Sequence, residues 1–225
     1  MKPILQKIKS YISVLANLPF LYSRNSYSQE GEDLILLKLF DQKTNGFFVD
    51  VGAHHPFRYS NTYLLFKRSW KGINIDLDQT STKLFIISRP DDINLNYGIS
   101  SNGKILKYHI FEDGALNTLS EHQAEIVNKS GQSRFVGTKY IKTISLAKLL
   151  DKYLPKGQKI DLLNIDAEGM DFDVLKSNDW KRFKANIISI ETLGRDESKI
   201  YKFLEKRGYG VVAQTLNTSI FKIVK

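Results

Sequence analysis

Short apolar runs alternate with helical patterns along most of this 225-residue chain, beginning at residue 47. The runs are apolar without clean alternation, which is typical of parallel strands that helices cover on both faces. This order predicts β-α-β units and hence an α/β fold around a mostly parallel sheet. The predicted strands are 47–51, 72–77, 92–97, 160–166 and 185–191, and the predicted helices lie near 60–68, 79–88, 145–153, 170–177 and 196–207.

The C-terminal region is predicted to complete the sheet with a hairpin. Strand patterns at 209–214 and 218–224 are separated by a short connection. A hairpin here would give the sheet an antiparallel last strand. Residues 26–225 are therefore predicted to form one α/β domain, which is long enough for one sizeable core.

The alternation of predicted strands and helices stops between residues 98 and 143, and we interpret this stretch as an insertion. Because an insertion in an α/β fold usually lies over the site that it serves, 112–137 is predicted to be part of a substrate-facing cap. The extra elements predicted here are strands at 104–111 and 135–142 and a short helix near 120–128.

Charge and cysteine content narrow the function classes. The chain has 33 Lys and Arg against 24 Asp and Glu, a net charge of +9. This excess favours an anionic partner such as nucleic acid, a phosphorylated substrate or an acidic membrane surface. The chain has no cysteine, which excludes disulfides, thiolate metal ligands and cysteine nucleophiles and is typical of a cytoplasmic protein.

Residues 1–25 are predicted to form an amphipathic helical arm. Apolar residues from Ile4 to Leu18 recur at three- and four-residue steps, and Pro19 would end the helix. The arm is basic and contains no acid. No stretch of the arm approaches the ~18 apolar residues that a membrane span needs. The open alternatives are docking on the core, a homodimer contact and peripheral contact with the inner face of the membrane.

The strongest local signal is an acid and a glycine at the end of a predicted strand. Asp50 lies in strand 47–51, and Gly52 and Ala53 follow it. A glycine at this turn lets a ligand approach the backbone at the carboxyl end of the strand. The pattern G-x-G-x-x-G does not follow, so a cofactor without a pyrophosphate is favoured over NAD or FAD.

Two more acids extend this signal to the neighbouring strands. Asp76 ends the second predicted strand, 24 residues after Gly52, which is where a carboxylate typically binds a ribose diol. Asp78 is the second choice for this role. Asp92, at the third strand, is predicted to contact an adenine edge. The three signals together predict a nucleoside cofactor.

Five longer stretches carry a family resemblance. They are 28–33 (SQEGED), 48–56 (FVDVGAHHP), 60–62 (SNT), 70–76 (WKGINID) and 164–171 (NIDAEGMD). These stretches closely resemble the FkbM family of S-adenosylmethionine-dependent methyltransferases, over roughly residues 26 to 194. The chain departs from the family pattern at His54, where many members have Asn.

The resemblance implies a class I methyltransferase fold, Rossmann-like, with seven strands of which the last is antiparallel. It implies S-adenosylmethionine as cofactor and O-methylation of sugars or other hydroxylated natural products. Carried over to this chain, it assigns Asp50, Gly52 and Ala53 to the first cofactor motif, Asp76 to the ribose and Asp92 to the adenine side.

Methyl transfer to a hydroxyl requires a base or a metal, because alcohols are barely ionised at neutral pH. Asp166 and Glu168 follow the fourth predicted strand and are candidates for this role, with Asp166 also counted among the cofactor-binding residues. His54, after the cofactor turn, is the third catalytic candidate. Glu168 could instead complement a helix dipole, and His54 could cap a helix.

A bound cation would relieve the repulsion between neighbouring carboxylates. Asp166, Glu168 and Glu191 are predicted to lie at one sheet edge, and their oxygens suit Mg²⁺. No histidine spacing indicates zinc.

The sequence therefore predicts an S-adenosylmethionine-dependent O-methyltransferase that acts on a saccharide or related natural product. The positive charge fits an acceptor carried on a nucleotide or a lipid. An RNA methyltransferase is an alternative, but no RNA-binding module is recognisable and no specific nucleic acid is expected. A non-catalytic interaction protein with a nucleoside-binding fold is the other alternative.

Overall fold

The computed structural model describes residues 25–193 and 196–224. The predicted helical arm, residues 1–25, lies almost wholly outside them, and the prediction for it stays a prediction. Over the part of the chain that is described, no helix is long and apolar enough to cross a lipid bilayer.

Helices and strands alternate along the described chain. The helices are α1 (Glu32–Leu39), α2 (Tyr63–Phe66), α3 (Gln79–Ser88), α4 (Glu121–Ser130), α5 (Leu146–Tyr153), α6 (Asp171–Lys176) and α7 (Glu197–Glu205), with a 3-10 helix at Gly114–Leu116. The strands are β1 (Phe47–Val51), β2 (Lys71–Asp76), β3 (Ile93–Asn96), β4 (Gly98–Ile99), β5 (Ile105–Phe111), β6 (Phe135–Ile144), β7 (Ile160–Ile165), β8 (Ala185–Glu191), β9 (Tyr209–Gln214) and β10 (Thr218–Ile223).

Seven strands form the central sheet, in the order β3-β2-β1-β7-β8-β10-β9. The first five run parallel, and β10 pairs antiparallel with both β8 and β9. This is the predicted Rossmann-like methyltransferase fold, a mostly parallel sheet whose last strand in the sequence is antiparallel. The prediction of the fold class is confirmed.

The sheet is apolar on both faces because helices cover both. Every residue of β1 and β7 is buried. Along β1, Val49 and Val51 pack into one core with α5 and α7, whereas Phe48 packs into the other core with Leu36 and Trp70. The apolar runs without alternation therefore have the physical cause that the sequence indicated.

The chain order creates a switch point next to β1. After β1 the chain builds β2 and β3 on one side, and β7 then lies on the other side of β1. Ligands of open α/β sheets bind in the crevice outside the carboxyl ends of the strands at such a point. The turns after β1, β2 and β7 all lie there.

The insertion forms a second, small sheet with the order β4-β6-β5. Strands β5 and β6 pair antiparallel, and β4 pairs parallel with β6 through Gly98 and Thr143. The 3-10 helix and α4 connect β5 to β6. Three short elements, α1, β4 and the 3-10 helix, were not predicted from the sequence.

Candidate active site

A cavity opens at the carboxyl edge of the large sheet, where β1 lies between β2 and β7. It contains about 840 Å³ of empty space, its open mouth included. Gly52, His54 and Asp76 line the side formed by the β1 and β2 ends, and Asp166 and Glu168 line the side that follows β7. The structure therefore brings five of the predicted site residues to one cavity.

Gly52 forms the floor of this cavity in a conformation that requires glycine. Its φ is +80°, and a Cβ built there would lie 1.7 Å from the carbonyl oxygen of Asp166. Its N–H donates to the carbonyl of Ile75 at 2.9 Å, and the N–H of Asp166 donates to the carbonyl of Val51 at 2.9 Å. The turn is thus fixed between β2 and β7, and the missing side chain makes room for the backbone of the loop after β7.

Asp76 ends β2 and presents its carboxylate to the cavity. Its Oδ2 accepts from the N–H of His54 at 2.7 Å, and its Oδ1 accepts from the N–H of Asp78 at 2.6 Å. Burial raises the pKa of Asp76 to about 6, against the lowering effect of these two hydrogen bonds. Asp78, the second choice for a ribose contact, is the N-cap of α3, where its carboxylate accepts from the N–H of Thr80.

Asp50 and Ala53 lie behind the cavity wall. The carboxylate of Asp50 accepts from the hydroxyl of Thr62 and from the side-chain amide of Asn164, both at 2.8 Å. Ala53 is 4% exposed, and its N–H donates to the carbonyl of Ile75. Both residues support the turn from beneath, which corrects the expectation that they contact the cofactor directly.

Arg89, a residue that sequence reasoning missed, completes this support. It is fully buried, and its guanidinium donates to the hydroxyls of Thr62 and Ser60, both at 3.0 Å, and to the carbonyl of Pro56. Through Thr62 it reaches Asp50, whose negative charge compensates the buried cation. An arginine at the end of a helix ordinarily extends into solvent, so no sequence signal distinguished this one.

Asp92 lies at the opposite end of the sheet from the cavity. It precedes β3, and its carboxylate accepts from the N–H of Gly72 at 3.1 Å and from the side chain of Asn74 at 3.2 Å. The predicted adenine contact from Asp92 is therefore wrong, since the cavity lies at the carboxyl ends of the strands. Tyr97 and Ile99, which follow β3, line the cavity instead.

The two acids after β7 titrate far from their ordinary range. Burial, reinforced by the charges of Asp171 and Asp50, raises the pKa of Asp166 to about 7. Burial and the charge of Asp166 raise the pKa of Glu168 to about 9, so Glu168 carries a proton at neutral pH. Glu168 also has a φ of +49°, unusual for a residue with a side chain.

The carboxylates that could share a cation differ from the predicted set. Oxygens of Asp166, Asp171 and Glu191 lie within 4.8 Å of one another. Glu168 is not a member of this group, which corrects the predicted trio of Asp166, Glu168 and Glu191. Asp171 takes its place, while its own oxygens also accept from the N–H groups of Ala167 and Gly169. Burial and the charges of Asp166 and Asp171 raise the pKa of Glu191 to about 11.

His54 lines the cavity, and one nitrogen of its ring is unpaired. Its Nε2 is buried and has no hydrogen-bond partner among the described residues. Burial and the neighbouring charge of Arg58 lower the pKa of His54, so the ring is neutral at neutral pH. By contrast, Nδ1 of His55 accepts from the N–H groups of Phe57 and Arg58, both at 3.0 Å, and stabilises the turn.

A comparison with protein families matches this chain to the methyltransferase FkbM domain over residues 50–211. The matched segment is more than half of the chain and contains the Gly52 turn, Asp76 and the acids after β7. The chain belongs to the FkbM methyltransferase family. A comparison with curated proteins found no match.

Methyltransferases of this family generally use S-adenosylmethionine, and the cavity of this FkbM methyltransferase fits such a cofactor. Bare backbone at Gly52 gives close access for a ligand, and Asp76 offers carboxylate oxygens suited to a diol. Apolar surface from Leu77 and Ile99 borders the same cavity and suits a planar base.

The insertion of this FkbM methyltransferase forms one part of the wall of the cavity. Tyr108 of β5 and Asn117, after the 3-10 helix, line it. The hydroxyl of Thr118 donates to the carbonyl of Glu168 at 2.7 Å, which ties the insertion to the loop after β7. Burial raises the pKa of Tyr108, so its phenol stays protonated.

Proposed function

We propose that this FkbM methyltransferase transfers a methyl group from S-adenosylmethionine to a hydroxyl of a saccharide or related hydroxylated compound. The observation that carries this proposal is the convergence of Gly52, Asp76 and His54 on one cavity, together with the unpaired Nε2 of the His54 ring. Such a cavity combines a nucleoside site with a group that can take a proton.

The residues on the β1 and β2 side would hold the cofactor. Asp76 would accept hydrogen bonds from the ribose hydroxyls, and Gly52 would let the cofactor lie against the backbone. When bound, S-adenosylmethionine supplies an electrophilic methyl group on a positively charged sulfur. The protein's task is then to position the acceptor and exclude water.

His54 is our choice for the base that removes the hydroxyl proton. Its neutral ring and unpaired Nε2 can accept a proton at neutral pH. Glu168, with a pKa of about 9, already holds a proton and would serve as a hydrogen-bond donor to the acceptor. Asp166, with a pKa of about 7, is the second candidate for the base.

A divalent cation is a secondary part of this proposal. Asp166, Asp171 and Glu191 would hold Mg²⁺, since hard oxygen ligands at these separations suit it. The same cation would lower the pKa values of these carboxyls by opposing their mutual repulsion. Methyl-transfer rates that respond neither to EDTA nor to added Mg²⁺ would reject it.

The decisive experiment combines calorimetry with mass spectrometry. We expect S-adenosylmethionine to bind the purified protein, and isotopically labelled methyl to appear on a hydroxyl in a panel of glycans, sugar nucleotides and lipid-linked sugars. If S-adenosylmethionine does not bind, the proposed methyltransferase activity is refuted and a non-catalytic interaction protein is favoured. Methyl transfer to RNA alone would replace the saccharide with the RNA alternative.

A further inference from the structure

A second groove lies next to the cofactor cavity and is strongly basic. Lys139 and Lys142 of β6 and Lys148 of α5 line it. The groove and the cavity share a wall, because Leu77 and Tyr97 border both.

The three lysines are free to bind an anion. All are exposed, and none forms an ion pair within the described residues. Among the described residues, the lining of the groove includes no Asp or Glu side chain. Two acids next to lining residues are engaged elsewhere, since Asp78 caps α3 and Asp173 accepts from Ser101 and pairs with Lys176.

Uncharged donors add to the positive charge of the groove. Asn102 uses its side-chain oxygen to accept from the N–H of Lys104 at 3.1 Å, which leaves its amide NH₂ for a ligand. Gln79, at the start of α3, lines the same groove and is exposed. Ammonium and amide donors without a nearby carboxylate favour a multiply charged oxyanion.

The groove and the cofactor cavity differ in charge, and this difference indicates which part of a ligand would bind in each of them. The cavity carries the acids Asp76 and Asp166, whose negative charge would repel an anion, and it offers no lysine or arginine side chain among the described lining residues. Tyr108 links the cavity to the groove. It lines the cavity, and its ring centre lies 5.2 Å from the ammonium of Lys139, which lines the groove. A ligand with a neutral hydroxylated part and an anionic part would therefore be oriented by these opposite charges.

We propose that this groove binds the phosphate or diphosphate of a phosphorylated acceptor. The inference rests on the proposed function and adds the chemical class of the acceptor: a saccharide attached to a phosphate-bearing carrier. Lysine ammonium groups bind phosphate as point charges, and three of them match the charge of a diphosphate.

The test is a charge-matched pair of triple variants of the full-length protein. In the groove variant, Lys139→Gln, Lys142→Gln and Lys148→Gln remove three charges. In the control variant, Lys156→Gln, Lys159→Gln and Lys181→Gln remove the same number from exposed lysines that form no ion pair in the described structure.

Calorimetry at about 150 mM salt, where screening acts beyond ~8 Å, measures binding of inorganic pyrophosphate and uridine diphosphate. Vesicles containing phosphatidylglycerol form a separate arm that identifies a lipid headgroup as the source of the phosphate. We expect at least tenfold weaker binding to the groove variant and less than a twofold change in the control, with S-adenosylmethionine affinity unchanged in both.

Equal weakening in the two variants, or no binding of either soluble anion or vesicles to the wild type, would overturn the inference. If the wild type binds the anions through the groove lysines and yet does not bind S-adenosylmethionine, that result would count against the proposed function and not against the groove.

Discussion

Asp76 is the side chain on which the cofactor assignment depends most directly. We expect Asp76→Ala to weaken S-adenosylmethionine binding at least about tenfold, because two charge-assisted hydrogen bonds to the ribose are lost. Calorimetry measures this affinity, and thermal unfolding shows whether the variant is folded. The control Asp78→Ala should lose about 1 kcal/mol of stability as an N-cap and keep its affinity. Wild-type affinity in Asp76→Ala would remove the ribose role.

His54 gives the proposed reaction a characteristic pH dependence. Because burial holds the pKa of His54 below its usual 6.5, the ring is neutral and able to act as a base above that pH. We expect kcat/KM to fall as the pH drops below about 6.5 and to lose that acidic limb in His54→Gln, with a rate ~10²–10⁴-fold lower.

Glu168→Gln is the matched control for His54, because it should retain the acidic limb. An acidic limb that persists in His54→Gln with its midpoint near pH 7 would identify Asp166 as the base, since that is where burial and its neighbours place the pKa of Asp166.

Prediction from sequence placed residues at the cavity where a residue's position along a strand decides its place, and the roles of these residues stay predictions. Gly52 and Asp76 directly follow or end a strand, and the cavity lies there. It failed where side-chain direction decides, as for Asp50, which points away from the cavity to Thr62 and Asn164. Among the described residues, Asp171 and not Glu168 groups with Asp166 and Glu191, and the spacing of these acids along the chain does not distinguish the two sets.

At the scale of elements, the buried network of Arg89 joins α3 to the loop before α2 and to β1. Arg89→Met removes the cation nearest to Asp50 and the charged donor to Thr62, Ser60 and Pro56, and loss of a hydrogen bond to a charged group costs about 1.5–3 kcal/mol. We expect that loss in urea unfolding, and weaker cofactor binding because the loop after Gly52 is released.

The double variant Arg89→Met with Asp50→Asn separates charge from packing. It should recover part of the lost stability, because the uncompensated carboxylate is gone. Additive losses in the double variant would contradict the coupling of Arg89 and Asp50 through Thr62.

The carboxylates at the ends of β7 and β8 should make stability depend on pH. Burial raises the pKa of Asp166 to about 7 and that of Glu168 to about 9. Each carboxyl therefore stabilises the folded state in its protonated form. Their contribution is complete below the unfolded pKa values near 4 and is lost as the pH rises through the folded values. We therefore expect Tm to fall between about pH 4 and pH 9.

Glu191→Gln should flatten this decline, because it removes one of the mutually repelling carboxyls. Mg²⁺ should raise Tm most at the alkaline end if Asp166, Asp171 and Glu191 bind it. A Tm that is constant over this range, with and without Mg²⁺, would contradict both expectations.

Elements were predictable where the local sequence marks them, as the apolar run 47–51 marks β1 and Asp78 marks the start of α3. The bounds of β1, β8, β9 and α3 agree with the predicted ones. Helix α1 was missed because its apolar residues run almost consecutively and give no helical period. Strand β4 has two residues, Gly98 and Ile99, and it exists only through its pairing with β6, which no local pattern reveals.

At the scale of the whole molecule, the predicted N-terminal arm lies almost wholly outside the described residues, and those residues form a cavity by themselves. Among the described residues, the ones that line the cavity lie at Gln29 or beyond. We therefore expect deletion of residues 1–22 to leave S-adenosylmethionine affinity unchanged in calorimetry. A large loss of affinity would show that the arm contributes to the cofactor site. Vesicle flotation of the same pair of proteins tests the predicted membrane contact.

The two walls of the cavity are encoded differently along the chain. The insertion is one continuous stretch, and pairing of Gly98 with Thr143 brings its two ends side by side. Grafting a stretch of another length between Ile99 and Thr143, with both residues kept, should therefore change acceptor preference and leave the donor pocket in place. The donor pocket is assembled from segments as distant as Gly52 and Asp166, so it cannot be transplanted in one piece.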